Sequence, residues 1–234
     1  MKIFAVDTSA KSASVALLEN GEIKGEFFIN TMLTHSETLM PMTDALLKSV
    51  RINPENIDYF AVNVGPGSFT GVRIGISAIK GMAYALNKKC VAVSTLESMA
   101  YNIKNTNAVV CAVMDARCNQ VYNAMFDISG DTPKRLCDDR AISIDELQNE
   151  IQQYKRVILV GDGANLCFAK LSDSISQLEI ASENVRFQRA SSVALAAEKF
   201  IENNNTVSAD MLMPEYLRLP QAQRELIAKK TINK

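Results

Sequence analysis

The first stretch of the sequence that could carry chemistry is a run of glycines between an apolar segment and a helical pattern. Gly65, Gly67 and Gly71 are spaced as G-x-G-x-x-x-G within "VGPGSFTGVRIG", which overlaps variants of the dinucleotide-binding fingerprint. A Walker A loop needs a lysine directly after its last glycine, and Val72 stands there instead. A dinucleotide site also needs an acidic residue about twenty positions further on, where this chain has Ser94. The spacing therefore argues against nucleotide binding by this loop.

Acid–base and metal chemistry would depend on histidine, carboxylate and thiol groups. His35 is the one histidine of the chain, and a zinc site of the H-E-x-x-H type needs two. Asp7 and Asp115 each end an apolar stretch, so both are candidates for polar groups facing a shared cleft, and capping of the following turns is the equally weighted alternative. The five cysteines are never spaced C-x-x-C, which favours free thiols. We expect no catalytic residue and no metal.

Charge and hydropathy restrict the possible partners. The net charge is −1 and the pI is about 6.0, whereas nucleic-acid binding depends on Lys and Arg groups that neutralise phosphates. Any contact with RNA should therefore be indirect. No apolar run approaches the roughly 20 residues that span a bilayer, and Asp7 interrupts the N-terminus before a signal-peptide core could form. We expect a soluble, cytoplasmic protein with no membrane partner.

The same supersecondary unit is predicted twice. The first copy opens with a strand at 2–6 and alternating strands at 14–18 and 22–29, joined by an Asn20-Gly21 pair typical of a type I′ hairpin. A helix at 34–51, a strand at 59–64, a helix at 70–86 and a strand at 90–93 follow. "VVCAVMDAR" and "QVYNAMF" repeat the opening hairpin roughly a hundred residues later, and a helix at 145–154, a strand at 157–160 and a last helix near 192–202 complete the second copy. The pattern predicts an α/β fold with mixed sheets flanked by helices.

Two domains follow from this duplication. The first covers residues 1–104 and carries the helices at 34–51 and 70–86. The second covers residues 105–234 and ends in a polar tail, "QRELIAKKTINK".

Both helices of the first half are apolar over more than one side, which indicates that each is covered twice. Methionines and small residues widen the apolar stripes, a composition that suits an adaptable contact surface. We expect a partner to bind there, and packing on the chain's own elements is the alternative. On the partner hypothesis, Gly75→Leu should leave the fold intact and abolish association. The predicted interface residues are His35, Leu39, Met42, Leu46, Gly71, Gly75, Ala78 and Met82.

Six motifs taken together resemble the TsaB family, formerly called YeaZ. They are "FAVDTSAKSASVAL", "THSETLMP", "VGPGSFTGVRIGISAIKGMAYAL", "MDARCNQVY", "VGDGA" and "PEYLRLP", and the resemblance runs from residue 1 to about 220. It implies a partner subunit of the bacterial machinery that makes threonylcarbamoyladenosine next to the anticodon of tRNA. It also implies binding of the catalytic subunit TsaD through the two helices, cooperation with the ATPase TsaE, and a possible homodimer through the same helices.

The family in turn resembles the sugar kinase, heat-shock chaperone and actin superfamily, whose duplicated, actin-like domains clamp ATP. That resemblance implies a vestigial nucleotide cleft, and its candidate residues are Asp7, Thr8, Ser9, Asp115, Gly161 and Gly163. The loops after Asp7 and Asp115 contain no glycine that would let backbone amides close on phosphate. We therefore expect no cofactor in this chain, with ATP or ADP binding only at the level of the complex. An ATP-dependent enzyme of the sugar kinase type and a peptidase stay as alternatives.

Overall fold

The chain opens with the predicted antiparallel hairpin, which belongs to a five-stranded sheet. The computed structural model describes residues 1–31 and 33–218. The strands are β1 (Lys2–Asp7), β2 (Ala13–Glu19), β3 (Glu22–Ile29), β4 (Tyr59–Gly65) and β5 (Lys89–Ser94), in the order β3-β2-β1-β4-β5. Asn20 and Gly21 both have positive φ, 52° and 80°, as a type I′ turn requires. The first three strands are antiparallel, and β1, β4 and β5 are parallel.

Two long helices cover one face of this sheet. They are α1 (His35–Val50) and α2 (Phe69–Ala85), and both pack on a core that includes Phe4 and Phe60. At the start of α1 the Glu37 carboxylate accepts a hydrogen bond from the backbone N of Thr34, as the predicted capping box requires, and a second one from Thr34 Oγ1. At the start of α2 the Ser68 hydroxyl accepts a hydrogen bond from the Gly71 backbone N. The predicted helices therefore form within one residue of their expected starts.

The second half repeats this order of elements around a second sheet. Its strands are β6 (Val109–Asp115), β7 (Gln120–Asp127), β8 (Lys134–Arg135), β9 (Arg140–Ser143), β10 (Val157–Val160) and β11 (Leu178–Ile180). The strand order is β11-β10-β6-β7-β8, and β9 also pairs with β7. As in the first half, an antiparallel hairpin is continued on one side by parallel strands, which confirms the predicted duplication. Its helices are α4 (Ile144–Ile151), α5 (Ala164–Leu171) and α6 (Glu183–Arg186).

Two helices leave the half to which their sequence position assigns them. Helix α3 (Thr95–Ala100), which the sequence did not predict, packs against the second sheet through Leu96 and Met99. Helix α7 (Ala190–Glu202) packs against the first sheet, on the face opposite α1 and α2, through Val193 and Ala197. The first sheet is therefore covered on both faces. The division into 1–104 and 105–234 stays a prediction.

For the description of the site, the first lobe is the first sheet with α1, α2 and α7, and the second lobe is the second sheet with α4 and α5. In the part of the chain that is described, no helix is both long and apolar enough to cross a bilayer. The predicted polar tail, residues 223–234, lies outside the described residues.

Candidate functional site

A cleft separates the two lobes at the ends of the two hairpins. Its larger chamber has a volume of about 490 Å³ and lies between the loop after β1, the start of α2, the loop after β6 and the segment Glu215–Arg218. A second chamber of about 430 Å³ adjoins it, and Lys11, Asp115 and Asp162 line both. Of the predicted vestigial site residues, Ser9 and Asp115 line this cleft, whereas Asp7, Thr8, Gly161 and Gly163 do not.

Asp7 ends β1 but is turned into the first lobe. Its side chain is fully buried; Oδ1 accepts hydrogen bonds from the backbone N of Ser9 at 2.9 Å and from Ser9 Oγ at 3.0 Å. Asn63 Nδ2 donates to Asp7 Oδ2 and also to Ser98 Oγ, the latter at 2.9 Å. Burial raises the pKa of Asp7, although these hydrogen bonds act in the opposite direction. The carboxylate is thus engaged within the first lobe and does not line either chamber of the cleft.

The glycines of α2 hold the loop that follows Asp7. Thr8 Oγ1 donates a hydrogen bond to Gly71 O at 2.8 Å, and the backbone N of Ser68 donates to Ser9 O at 2.7 Å. A Cβ atom on Gly71 would overlap Thr8 O, and a Cβ atom on Gly75 would lie 2.5 Å from Thr8 Oγ1. These positions must be glycine because the loop rests directly on the helix. The glycine run serves a contact within the chain.

His35 completes the attachment of this loop. Its Nε2 donates a hydrogen bond to Ala10 O at 2.8 Å, and its Cδ2 atom lies 3.2 Å from the place where a Cβ of Gly71 would be. The first turn of α1, the loop after β1 and α2 therefore meet at this imidazole. The structure gives His35 a positioning contact.

The structure corrects the predicted interface at five positions. Leu39, Met42 and Leu46 of α1 are 2%, 8% and 1% exposed, and Gly71 and Gly75 of α2 are also buried. Hydrophobic periodicity shows that a helix face is covered but does not show what covers it. Here the first sheet, the loop after β1 and the contact between α1 and α2 cover these residues. These five residues, Leu39, Met42, Leu46, Gly71 and Gly75, are therefore not available as contact surface.

The other predicted interface residues reach the surface only in part. Ala78 and Met82 are half-buried against the same core, and His35 is half-buried beside the loop. The residues that α1 and α2 expose are different ones. Met40 is 50% exposed, Leu33, just before α1, is 60% exposed, and a Cβ atom on Gly81 would meet no atom within 4 Å.

The second hairpin loop contrasts with the first. Asp115 is exposed at the cleft, and its Oδ1 accepts a hydrogen bond from the backbone N of Arg117 at 2.7 Å. The three residues Arg117, Cys118 and Asn119 have φ values of 64°, 53° and 59°. The loop contains no glycine, and it nevertheless forms a left-handed turn from residues that adopt this conformation less readily than glycine does.

The third loop of the cleft connects β10 to α5. Gly161 has φ 104°, and a Cβ atom there would overlap Val113 O, so the loop lies directly on the end of β6. Gly163 lies less closely against the same strand, because a Cβ atom there would be 3.0 Å from Met114 C. Burial raises the pKa of Asp162, between the two glycines, to about 6, while a 3.0 Å hydrogen bond from Gln188 Nε2 acts against the rise.

The sequence patterns assign no site role to three contributors to the cleft. Lys11 follows the first loop, Gln188 lies between α6 and α7, and Glu215–Arg218 passes the mouth of the larger chamber. Lys11 and Glu215–Arg218 lie within two of the quoted motifs, but those motifs do not indicate a position at the cleft, which depends on tertiary contacts. Among residues 1–31 and 33–218, no group of three His, Cys, Asp or Glu side chains is placed to hold a metal ion.

Comparison with known proteins gives a consistent relationship. A family model described as TsaD, tRNA N6-adenosine threonylcarbamoyltransferase, matches residues 30–226. The tRNA threonylcarbamoyladenosine biosynthesis protein TsaB of Bacillus subtilis is 27% identical over 229 residues, which cover 97% of this chain and 98% of that protein. The structure of YeaZ from Pseudomonas aeruginosa superposes with a TM-score of 0.77 at 23% identity, covering 92% of this chain and 99% of that one.

The fold itself is shared more widely. A hexokinase of the ROK class from Thermus thermophilus superposes with a TM-score of 0.50 at 10% identity, covering 87% of this chain and all of that one. This likeness concerns the fold alone and confirms the predicted actin-like architecture. The family model covers most of the chain, and the TsaB protein of Bacillus subtilis aligns along nearly its whole length. The chain therefore belongs to the TsaB (YeaZ) family of tRNA threonylcarbamoyladenosine biosynthesis proteins.

Proposed function

We propose that this chain is a non-catalytic subunit of the complex that transfers a threonylcarbamoyl group to the tRNA adenosine next to the anticodon, and that it binds and supports the catalytic subunit TsaD. Membership of the TsaB family supports the role in this tRNA modification. Cooperation with the ATPase TsaE and a cytoplasmic location are part of the same proposal.

The observation that carries the non-catalytic role is the packing of the loop after β1 on α2. In a nucleotide-clamping fold this loop would have to offer its backbone amides and its aspartate to a ligand. Here Thr8 and Ser9 are hydrogen-bonded to the α2 region, and Asp7 is buried against Asn63. The single histidine is bonded to the same loop. The groups that could perform chemistry in the first lobe are thus used to hold the fold together.

The surface proposed for TsaD is the outward face of α1 and α2. Met40, Leu33 and Tyr84 are between 50% and 79% exposed, and Gly81 lies open to a neighbour. Exposed apolar side chains beside an open glycine allow a second helix to approach closely, which favours contact with a protein. A homodimer through the same face is the competing use of this surface.

Reconstitution tests the proposal. The purified chain, TsaD and TsaE are assayed for transfer of the threonylcarbamoyl group from its adenylate to tRNA, together and with each protein omitted. We expect the chain alone to be inactive and the mixture to lose most of its activity when the chain is omitted. Catalytic transfer by the chain alone would overturn the non-catalytic role.

The surface is tested by Met40→Asp, with Leu136→Asp as its matched control. Leu136 is an exposed apolar residue of the second lobe, so its replacement introduces the same charge away from α1 and α2. We expect Met40→Asp to abolish co-elution with TsaD and Leu136→Asp to preserve it, because an unpaired carboxylate must be desolvated in the complex. Sedimentation of the chain without TsaD reports whether the same variant also disrupts a homodimer.

The competing functions are tested with the chain alone. An ATP-dependent enzyme of the sugar kinase type should bind ATP with micromolar affinity and hydrolyse it, and a peptidase should lose activity on replacement of His35 or Ser36.

Because the net charge is −1, we expect tRNA binding by the isolated chain to be weak at physiological salt. Sub-micromolar affinity for tRNA would contradict the indirect role.

A further inference from the structure

The segment Glu215–Arg218, called the strap below, crosses the mouth of the cleft from the first lobe to the second. Glu215, Tyr216, Leu217 and Arg218 all line the larger chamber of about 490 Å³. The strap forms no helix or strand. It therefore depends on individual contacts at its two ends.

Its attachment to the first lobe is close and has several parts. The backbone N of Glu215 donates a hydrogen bond to Val64 O at 2.8 Å, and Gly65 has no side chain that would overlap Glu215 O. The ring of Tyr216 stacks on Phe69, with 4.7 Å between the ring centroids. Arg73 Nε donates to the Tyr216 hydroxyl at 2.7 Å while its guanidinium lies 3.8 Å from the centroid of the Phe69 ring. A backbone bond, an aromatic stack and a cation–π contact thus hold this end.

The described hydrogen bonds from the strap to the second lobe all come from one side chain. Arg218 Nη1 donates to Ala116 O at 2.8 Å, and Nη2 donates to Gln120 Oε1. Both acceptors flank the left-handed turn after β6. Among the described residues, no other strap side chain has a hydrogen bond to the second lobe. The two ends are therefore unequal, because the first has several contacts and the second has a single guanidinium.

We propose that the strap is a releasable latch that fixes the angle between the lobes and closes one mouth of the cleft, and that Arg218 is the residue that opens it. Loss of the Arg218 contacts releases the second lobe from the strap, while the strap remains on α2. The larger chamber then becomes accessible from the strap side. This inference concerns the cleft and does not depend on the partner surface proposed above.

The latch is tested by measuring the distance between the lobes. Lys155 is exposed on the second lobe and Lys48 is exposed on α1, so spin labels at cysteines replacing these two residues report the angle, with Cys118→Ser and Cys137→Ser to prevent labelling there. Arg218→Ala should increase the population that has a longer distance between the labels. We expect this population to be roughly tenfold larger than in the parent protein, because one or two hydrogen bonds to a charged group are lost. Met213→Ala, at a 63% exposed position just before the strap, is the control and should leave the distribution unchanged.

Two further variants keep the test decisive. Arg218→Lys retains the charge but loses the fork that reaches two acceptors, and it should give an intermediate distribution. Tyr216→Phe removes only the hydroxyl that Arg73 contacts, and it should accelerate amide exchange at Glu215 without changing the distance between the lobes. An unchanged distance distribution in a folded Arg218→Ala protein would overturn the proposal, as would an equal change caused by Met213→Ala.

Discussion

The two hairpin loops of this duplicated fold begin in the same way and end in different environments. Each follows the first strand of its half, and each starts with an aspartate, Asp7 or Asp115. The first loop is buried against α2 and its aspartate is fully enclosed, whereas the second is exposed at the cleft and its aspartate accepts one backbone hydrogen bond. The two halves therefore share their topology, but the helix next to each loop, α2 in the first lobe and α5 in the second, determines what the loop can contact.

The helix that follows the next strand makes this difference. In the first lobe α2 presents Gly71 and Gly75, and these two positions, called the cradle below, let the backbone of Thr8 lie on the helix. In the second lobe the glycines stand before α5 rather than within it, and they approach the end of β6 instead of the loop. The second loop consequently lacks a cradle. We infer that the first loop is a structural element of the α1–α2 layer, and that the second remains a wall of the cleft.

The largest expected effect comes from filling the cradle. In Gly75→Leu the new side chain would meet Thr8 and Val62, and we expect a loss of about 3 kcal/mol or more in the free energy of unfolding from overpacking. This reverses the expectation from sequence that the variant would fold normally. Urea denaturation followed by circular dichroism measures the change. Wild-type stability of Gly75→Leu would show that the loop does not need the cradle.

A smaller effect should separate the two aspartates. Asp7→Ala leaves Asn63 Nδ2 and the Ser9 donors without their acceptor in a buried place, so we expect a loss of about 1 to 3 kcal/mol. Asp115→Ala removes an exposed acceptor, and its cost should stay below about 1 kcal/mol. Both values come from urea denaturation at the same pH. Equal costs would contradict the contrast between the loops.

The comparison also shows what the sequence could predict. Asn20-Gly21, the capping box at Thr34 and the alternating strands predicted the first hairpin and α1, because turn chemistry and caps act locally. The repeat of the Asp-ended hairpin predicted the second sheet. Helix α3 was missed, since its six residues are too few for a clear helical period.

The candidate site was less predictable than the fold. The sequence indicated that Leu39, Met42 and Leu46 would be covered, and they are, but by the first sheet rather than by a partner. The small residue at position 75 is predicted from the sequence to leave room for another chain, whereas in the structure it leaves room for Thr8. Which surface covers an apolar stripe depends on contacts between residues far apart in sequence. Periodicity alone does not contain that information.

The cleft adds an effect of pH. Asp162 has a pKa of about 6 in the folded protein because it is buried, and the carboxylates of Asp115 and Asp7 add to the rise. An unfolded aspartate titrates near pH 4, so between about pH 4 and 6 the folded chain binds more protons than the unfolded chain. The stabilising contribution of this group is therefore present below about pH 4 and is lost as the pH rises through 6.

Asp162→Asn isolates this contribution from that of the other carboxylates. The free energy of unfolding of the wild type, minus that of the variant, should fall by about 1 to 3 kcal/mol between pH 4 and pH 7. Urea titrations at several pH values measure the difference. A difference that rises with pH would contradict this expectation, because it would mean that the loop between β10 and α5 stabilises the charged form of the Asp162 carboxylate.

The smallest effect comes from the same helix that holds the first loop. Gly81 lies two turns beyond the cradle, and a Cβ atom there would meet no atom within 4 Å. Alanine has a higher helix propensity than glycine, so Gly81→Ala should raise the free energy of unfolding by up to about 1 kcal/mol. Gly71→Ala, which makes the same replacement where the new Cβ would overlap Thr8 O, should lower it instead. The opposite signs distinguish glycines kept for the loop from a glycine that the isolated chain does not require. If Gly81→Ala also destabilised the protein in urea denaturation, the face of α2 around Gly81 would have to be packed against something in the isolated chain.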